Sequence, residues 1–203
     1  MRKTPRASPL EEKLETAMTV FWEKGYYDTS IEDLMERTGL HRAAIYGGFG
    51  SKKKFFEMLL RRYRATYITS FFAPLEMPNA SLAQIEAFFR QFQDVQGTPA
   101  RLGCLMCVTS TEVAPHARSV ERIVSDWLDD LRSLIRAACV NALERKQVRP
   151  ATDPDLVADY GVGAVLGTWA MIRSPMPRDA VVRYVDGVLS YLQHLRSVKG
   201  GGR

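Results

Sequence analysis

The sequence predicts an all-α protein of about nine helices, a three-helix N-terminal head followed by a larger helical body. Three observations lead there. Apolar residues recur at spacings of three and four along most of the chain, and no stretch alternates convincingly as a strand would. The periodic segments open on Ser, Thr or Asp and several close on Gly, the punctuation of helix ends. The balance of 46% apolar and 25% charged residues is that of a globular protein and excludes disordered and fibrous classes.

The elements follow in order. Ser8-Pro9-Leu10-Glu11 sets a capping box and a first-turn proline ahead of the stripe Leu10, Leu14, Ala17, Met18 and Phe21, and Gly25 closes that helix. Thr29-Ser30-Ile31-Glu32 reads as a second capping box; Ile31, Leu34 and Met35 form its buried face, and Gly39 stops it. A very short helix spans about Arg42 to Gly47. Ser51 caps a longer one carrying Phe55, Phe56, Leu59, Leu60 and Tyr63, expected to end before Pro74. Ser81 opens the next, with Leu82, Ile85, Phe89 and Phe92 on one side, and a short segment runs from Leu102 to about Ser110. A long helix from near Pro115 carries Val120, Val124, Trp127, Leu131, Leu134 and Ala138. Asp153-Pro154 and Pro177 introduce the last two. Met1–Ala7 and Val198–Arg203 read as flexible tails.

Charge and cysteine content narrow the setting. Residues 1–67 hold 13 Lys+Arg against 9 Asp+Glu, a surplus of four, whereas residues 68–203 hold 15 against 14. The positive excess in the first third suggests a polyanionic partner for that part. Tyr160 to Ile172, the longest uncharged apolar stretch, is 13 residues, too short to span a bilayer. Three cysteines at no framework spacing, with no signal peptide, lead us to expect a reducing, cytoplasmic location.

Residues 30–49 have helix-turn-helix spacing: two short helices joined at Gly39-Leu40-His41, with Leu34, Leu40, Ile45 and Phe49 as the seam between them. That seam leaves Arg42, Ala43 and Tyr46 outward at the start of the second helix, where base edges are read. Ala43 and Ala44 keep the helix slim enough for a major groove, and Arg42 suits bidentate readout of guanine. His41 sits in the turn beside them. Thr29, Ser30, Tyr46 and Lys52 are placed for phosphates. The glycine-rich Gly47-Gly48-Phe49-Gly50-Ser51-Lys52 is not a nucleotide loop, because Ser51 and Lys53 stand where that loop needs Gly and Ser or Thr.

The wider string, Phe21-Trp22-Glu23-Lys24-Gly25-Tyr26-Tyr27-Asp28-Thr29-Ser30-Ile31-Glu32-Asp33-Leu34 and Thr38-Gly39-Leu40-His41-Arg42-Ala43-Ala44-Ile45-Tyr46-Gly47-Gly48-Phe49-Gly50-Ser51-Lys52, resembles the N-terminal domain of the tetracycline-repressor (TetR) family. The match covers roughly residues 8–67. It implies a DNA-binding domain over 8–67 and an effector-binding and dimerisation domain over 68–197, in a repressor that leaves a palindromic operator when a ligand binds. Gly47 and Gly48 depart from the pattern, each costing roughly 1 kcal/mol against Ala in a recognition helix.

For the body, the helices at about 154–173 and 178–197 are expected to pair with a second copy, because Tyr160–Ile172 is apolar nearly all round and Gly163 and Gly167 lie one turn apart. Phe88, Phe92, Met106, Trp127 and Trp169 are candidates to line a pocket for an apolar small-molecule effector. Cys104 and Cys107, at i and i+3, offer an alternative, a redox or electrophile switch; the Gly-Cys-Leu start of that helix resembles a subset of the family that senses reactive species. No cofactor or metal site is expected, since Cys139, His116 and His194 show no zinc spacing. An enzyme is not expected either: His41, His116 and His194 lie far apart and no nucleophile motif is present.

Overall fold

The computed structural model describes residues 8–95 and 100–197; the expected tails at either end lie outside them. Within those residues the chain is helical throughout, the one β pairing being an isolated antiparallel bridge between Val148 and Arg196.

Helix α1 (Pro9–Lys24) starts as expected. The Ser8 hydroxyl accepts from the Glu11 amide, the Glu11 carboxylate accepts from the Ser8 amide, and Pro9 fills the first turn. Gly25, at φ +83°, ends it. Helix α2 (Ile31–Thr38) is capped one residue later than the Thr29–Glu32 box predicts. Ser30 is the cap, paired reciprocally with Asp33. Thr29 is buried instead, its hydroxyl donating to the Gly25 carbonyl at 2.6 Å. Helix α3 (Arg42–Phe49) is two turns long and stops at Gly50.

Helix α4 (Lys52–Tyr63), capped by Ser51, does not end before Pro74. It passes through one wide π turn, Arg64–Ile68, into α5 (Thr69–Glu76), which contains Pro74. The sequence explains the wide turn. Buried positions run Phe55, Phe56, Leu59, Leu60, Tyr63, then Ile68, Phe72 and Leu75. The step from Tyr63 to Ile68 is five, where the others fit an α-helix, and a turn one residue wider keeps both halves of the stripe on one face. Pro74 has no amide hydrogen to give the Ser70 carbonyl one turn back, and the helix ends two residues after it, at Glu76.

The body is built from α6 (Leu82–Arg90), α7 (Leu105–Glu112), α8 (Arg118–Glu144), α9 (Pro154–Arg173) and α10 (Arg178–His194). Counting α4 to α5 as one rod gives nine helices among the described residues. The 27-residue α8 packs along α9, with Val120, Val124, Trp127 and Leu131 buried as its periodicity predicts. Helix α7 lies two to three residues beyond the expected Leu102–Ser110, because Gly103 (φ +76°) and the extended Cys104 precede its first turn. Two aromatic clusters anchor the core. In the head, Phe56 packs on Phe21 at 4.8 Å and on Tyr26 at 5.0 Å; in the body, Phe71 packs edge-on against Phe88 and Phe92, and Trp169 joins them through Phe71 at 5.6 Å and Phe92 at 5.2 Å.

Candidate nucleic-acid interface

The turn between α2 and α3 is held by one hydroxyl and one glycine. Thr38 donates to the Leu34 carbonyl at 2.5 Å and accepts from the Leu40 amide at 3.0 Å, while Gly39 takes the left-handed conformation (φ +64°) and caps α2. Lys13 of α1 donates to the Gly39 carbonyl at 3.1 Å. Behind the turn, Leu34, Leu40 and Ile45 are buried, and Phe49 stacks on Phe55 at 4.3 Å. This seam fixes α3 against α2 and α4 and leaves its other face open.

On that face His41, Arg42, Ala43, Ala44 and Tyr46 are all exposed, Tyr46 at 43%. Ser30 is exposed beside them. A Cβ added at Gly47 or Gly48 would meet nothing within 4 Å, so the open face continues along the helix. One expected phosphate contact is corrected. Thr29 is fully buried, its hydroxyl bonded to the Gly25 carbonyl, and cannot reach a phosphate. Lys52 is half-buried with its ammonium 4.5 Å above the Tyr26 ring, and burial lowers its pKa while Glu112, Asp33 and Asp28 oppose that shift. Lys53 and Lys54 of the same run are the exposed ones.

Arg42 does not stand alone. Its guanidinium pairs with the Glu32 carboxylate of α2, both side chains more than half exposed. The Glu32 carboxyl is held below the usual carboxylate range by its own backbone amide and by Arg42. Sequence spacing gave no sign of this pair, because it spans the turn.

Comparison with known proteins decides what the head is. Residues 14–59 match the family described as "Bacterial regulatory proteins, tetR family", and residues 82–188, more than half the chain, match "Tetracyclin repressor-like, C-terminal domain". The chain belongs to the TetR family of transcriptional regulators. It is 29% identical over 123 residues to the HTH-type transcriptional repressor ComR of Escherichia coli (strain K12), spanning 59% of this chain and 58% of that protein. It is 25% identical over 196 residues to the HTH-type transcriptional repressor DhaR of Mycobacterium sp. (strain GP1), spanning 95% and 94%. A solved structure of a cysteine mutant of the TetR-family regulator CifR, complexed with 26-bp double-strand operator DNA, superposes with a TM-score of 0.79 at 21% identity, covering 92% of this chain and 98% of that one.

Among the side chains that tie this TetR head to its body across long sequence separations are Glu112 and Arg173. Glu112, the last residue of α7, accepts from the Tyr27 amide at 3.0 Å and lies against Gly25. Arg173, the last residue of α9, donates from Nη1 to the Trp22 carbonyl at 3.0 Å and to the Leu102 carbonyl at 2.7 Å. Neither was singled out in the sequence, and their separations of 85 and 151 residues leave no local signal.

The body of this regulator holds two half-open clefts that share Arg173. One, of about 580 Å³, lies between α7 and α9 and is lined by Cys104, Cys107, Leu166, Trp169, Ala170 and Arg173 among others. The second, of about 710 Å³, lies where α9 turns into α10. The five expected pocket residues divide accordingly. Trp169 lines the first and Phe92 the second, whereas Phe88, Met106 and Trp127 are buried in the core and line neither. Large apolar residues at helical spacing serve a core as well as a cavity, and here the core takes three. Cys104 sits at the N-cap of α7 rather than within it, and Cys107 in its first turn, both on the smaller cleft. Burial opposes ionisation of Cys104. Hydrogen bonds to its sulfur from Cys107, Tyr63 and the Met106 amide outweigh that and hold its pKa below the ordinary thiol value. Burial and the neighbouring Cys104 push Cys107 well above it.

Proposed function

We propose that the protein is a homodimeric repressor, with residues 8–67 binding DNA and residues 68–197 binding an effector and the second copy. The observation that carries this is the row His41, Arg42, Ala43, Ala44 and Tyr46, exposed on the first turns of α3 with a buried seam behind it. Arg42 reads a base edge, Ser30 and Tyr46 position the backbone, and the slim alanines admit the helix to the major groove. The family supports a binding module rather than an enzyme, acting in the cytoplasm.

A second copy supplies the second recognition helix. Helices α9 and α10 leave Leu156 (61%), Tyr160 (40%) and Tyr184 (37%) exposed, with open space over Gly163 and Gly187. Self-pairing of that face would bury them and set two α3 helices about 34–36 Å apart, one turn of DNA. Release follows if an effector in a body cleft favours a conformation in which the α3 pair no longer matches adjacent grooves.

The test is fluorescence anisotropy with DNA from immediately upstream of the protein's own gene against scrambled DNA, at about 150 mM salt. Tight binding confined to a palindromic stretch is expected, weakened roughly ten- to a hundredfold by Arg42→Ala, the loss of one bidentate base contact. Equal, weak and strongly salt-dependent binding to any sequence would mean an architectural role instead.

A second reading, a redox or electrophile switch, draws support from the place of two thiols on the wall of the smaller cleft, the buried Cys104 and the half-buried Cys107, the first with its pKa lowered by hydrogen bonds to its sulfur. In it the Cys104 thiolate adds to an activated carbon–carbon double bond, forming a C–S bond as the π bond breaks and the neighbouring carbon takes a proton from water, and the adduct shifts α7, whose far end holds Tyr27. Loss of operator binding on treatment with N-ethylmaleimide, abolished by Cys104→Ser, is the expected result; unchanged sensitivity in that variant would exclude it.

A further inference from the structure

The larger cleft carries a charge pattern that speaks to what it binds. Its described lining includes three guanidinium groups, Arg101, Arg173 and Arg178, and no carboxylate. Its floor is apolar, with Phe92 and Val181 buried and Ile172 half-buried. The hydrogen bonds of two of those arginines go to neutral backbone acceptors: Arg173 to the Trp22 and Leu102 carbonyls, Arg178 to the Gln93 carbonyl at 2.7 Å. Neither is in an ion pair among the described residues. Of the acidic residues nearby in sequence, Asp179 is engaged by Arg183 and Asp186 by Gln93, and the exposed Asp94, next to the Gln93 that Arg178 bonds, is neither on the lining nor in an ion pair among the described residues. Positive charge at an apolar-floored cleft is therefore left without its counter-ion.

We propose that this cleft binds a small organic anion with an apolar body, such as a carboxylate on a hydrocarbon or aryl chain. The chain lies on Phe92, Ile172 and Val181, and the carboxylate meets the guanidinium groups at the rim. An anionic oxygen is a stronger acceptor for a guanidinium than a peptide carbonyl is, because the attraction between full opposite charges adds to a hydrogen bond whose donor is already charged. The anion thus competes for Arg173 with the Trp22 carbonyl in the last turn of α1, which is a contact of the DNA-binding head. The apolar effector expected from the sequence becomes an amphipathic one. Its consequence for DNA, though not its binding, rests on the effector-release reading.

The test is calorimetric titration of the full chain with octanoate, octanol and octylamine, three probes of one chain length and different charge. Octanoate should bind roughly tenfold or more tightly than octanol, the factor carried by one charge-assisted hydrogen bond. Octylamine should bind more weakly than either. Arg173→Gln and Arg178→Gln should each bring octanoate towards the octanol affinity while leaving octanol unchanged. Should Arg173→Gln fail to fold, Arg178→Gln and Arg101→Gln carry the test, since neither side chain bonds to the head among the described contacts. Equal affinity for acid and alcohol, binding of octanoate indifferent to all three substitutions, or no binding of any probe would each overturn the proposal. Operator anisotropy with saturating octanoate separates the two readings. Charge-selective binding that leaves operator affinity intact supports the site and sinks effector release.

Discussion

Replacing Gly25 with alanine would put a Cβ 2.8 Å from Glu112 Oε1, on a backbone held at φ +83°. Two costs coincide there, a left-handed conformation worth about 1–3 kcal/mol and displacement of the carboxylate that receives the Tyr27 amide. Gly25→Ala should lower the thermal midpoint. In a Glu112→Ala background the steric part should vanish and the conformational part remain, a coupling that a double-mutant cycle reads directly. Glu32 makes a different prediction. In the free protein it occupies the guanidinium that would meet a base, so DNA must displace it. Glu32→Gln should therefore strengthen operator binding several-fold in an anisotropy titration, chiefly at low salt where exposed charges act furthest. The pH dependence has a defined sign. A carboxyl depressed in the folded state stabilises above its unfolded value, and that contribution is lost as pH falls through the lower folded value. Without DNA, protonating Glu32 to release Arg42 therefore needs a lower pH than an unpaired glutamate would.

At the level of elements, α3 is a two-turn helix weakened by its own composition. Gly47 and Gly48 have neither a positive φ nor a neighbour within 4 Å of an added Cβ, so nothing in the folded chain demands them. Gly47→Ala should raise stability by about 1 kcal/mol in denaturant titration, the helix propensity difference alone. The helices were largely legible in the sequence because their caps are local chemistry: Ser8 with Glu11, Ser51, Ser81 and Asp153 all open the helices expected of them. Where two residues satisfied one local rule, tertiary packing chose. Thr29 and Ser30 each have an acid three residues on, and the bond from Thr29 to Gly25 removed it from the surface. The outward face of α3 was legible for the same reason the caps were, since a buried seam four residues wide fixes which side points out. The clefts and the Glu112 and Arg173 contacts were not, because they join segments that only the fold brings together.

For the whole molecule, the proposed pairing through the exposed face of α9 and α10 would bring two recognition helices to DNA in place of one. An arginine at Gly187 enters open space in the single chain, so its fold should be unaffected. In the proposed dimer the same side chain would bury an unpaired charge. Gly187→Arg should run as a monomer in light scattering with an unchanged circular dichroism spectrum, and should lose the preference for a palindrome over its half-site. A variant that stays dimeric would place the contact elsewhere.

The wide turn at Arg64–Ile68 has a consequence for the gene. It absorbs one residue more than an α-helix needs between Tyr63 and Ile68, and Ala65 and Thr66 within it are exposed. Removal of one codon there would leave a spacing of four, at which an ordinary α turn keeps Tyr63 and Ile68 on the same side of the rod. The reading frame thus contains a place where the chain can shorten by one amino acid without changing the direction in which the recognition helix is aimed.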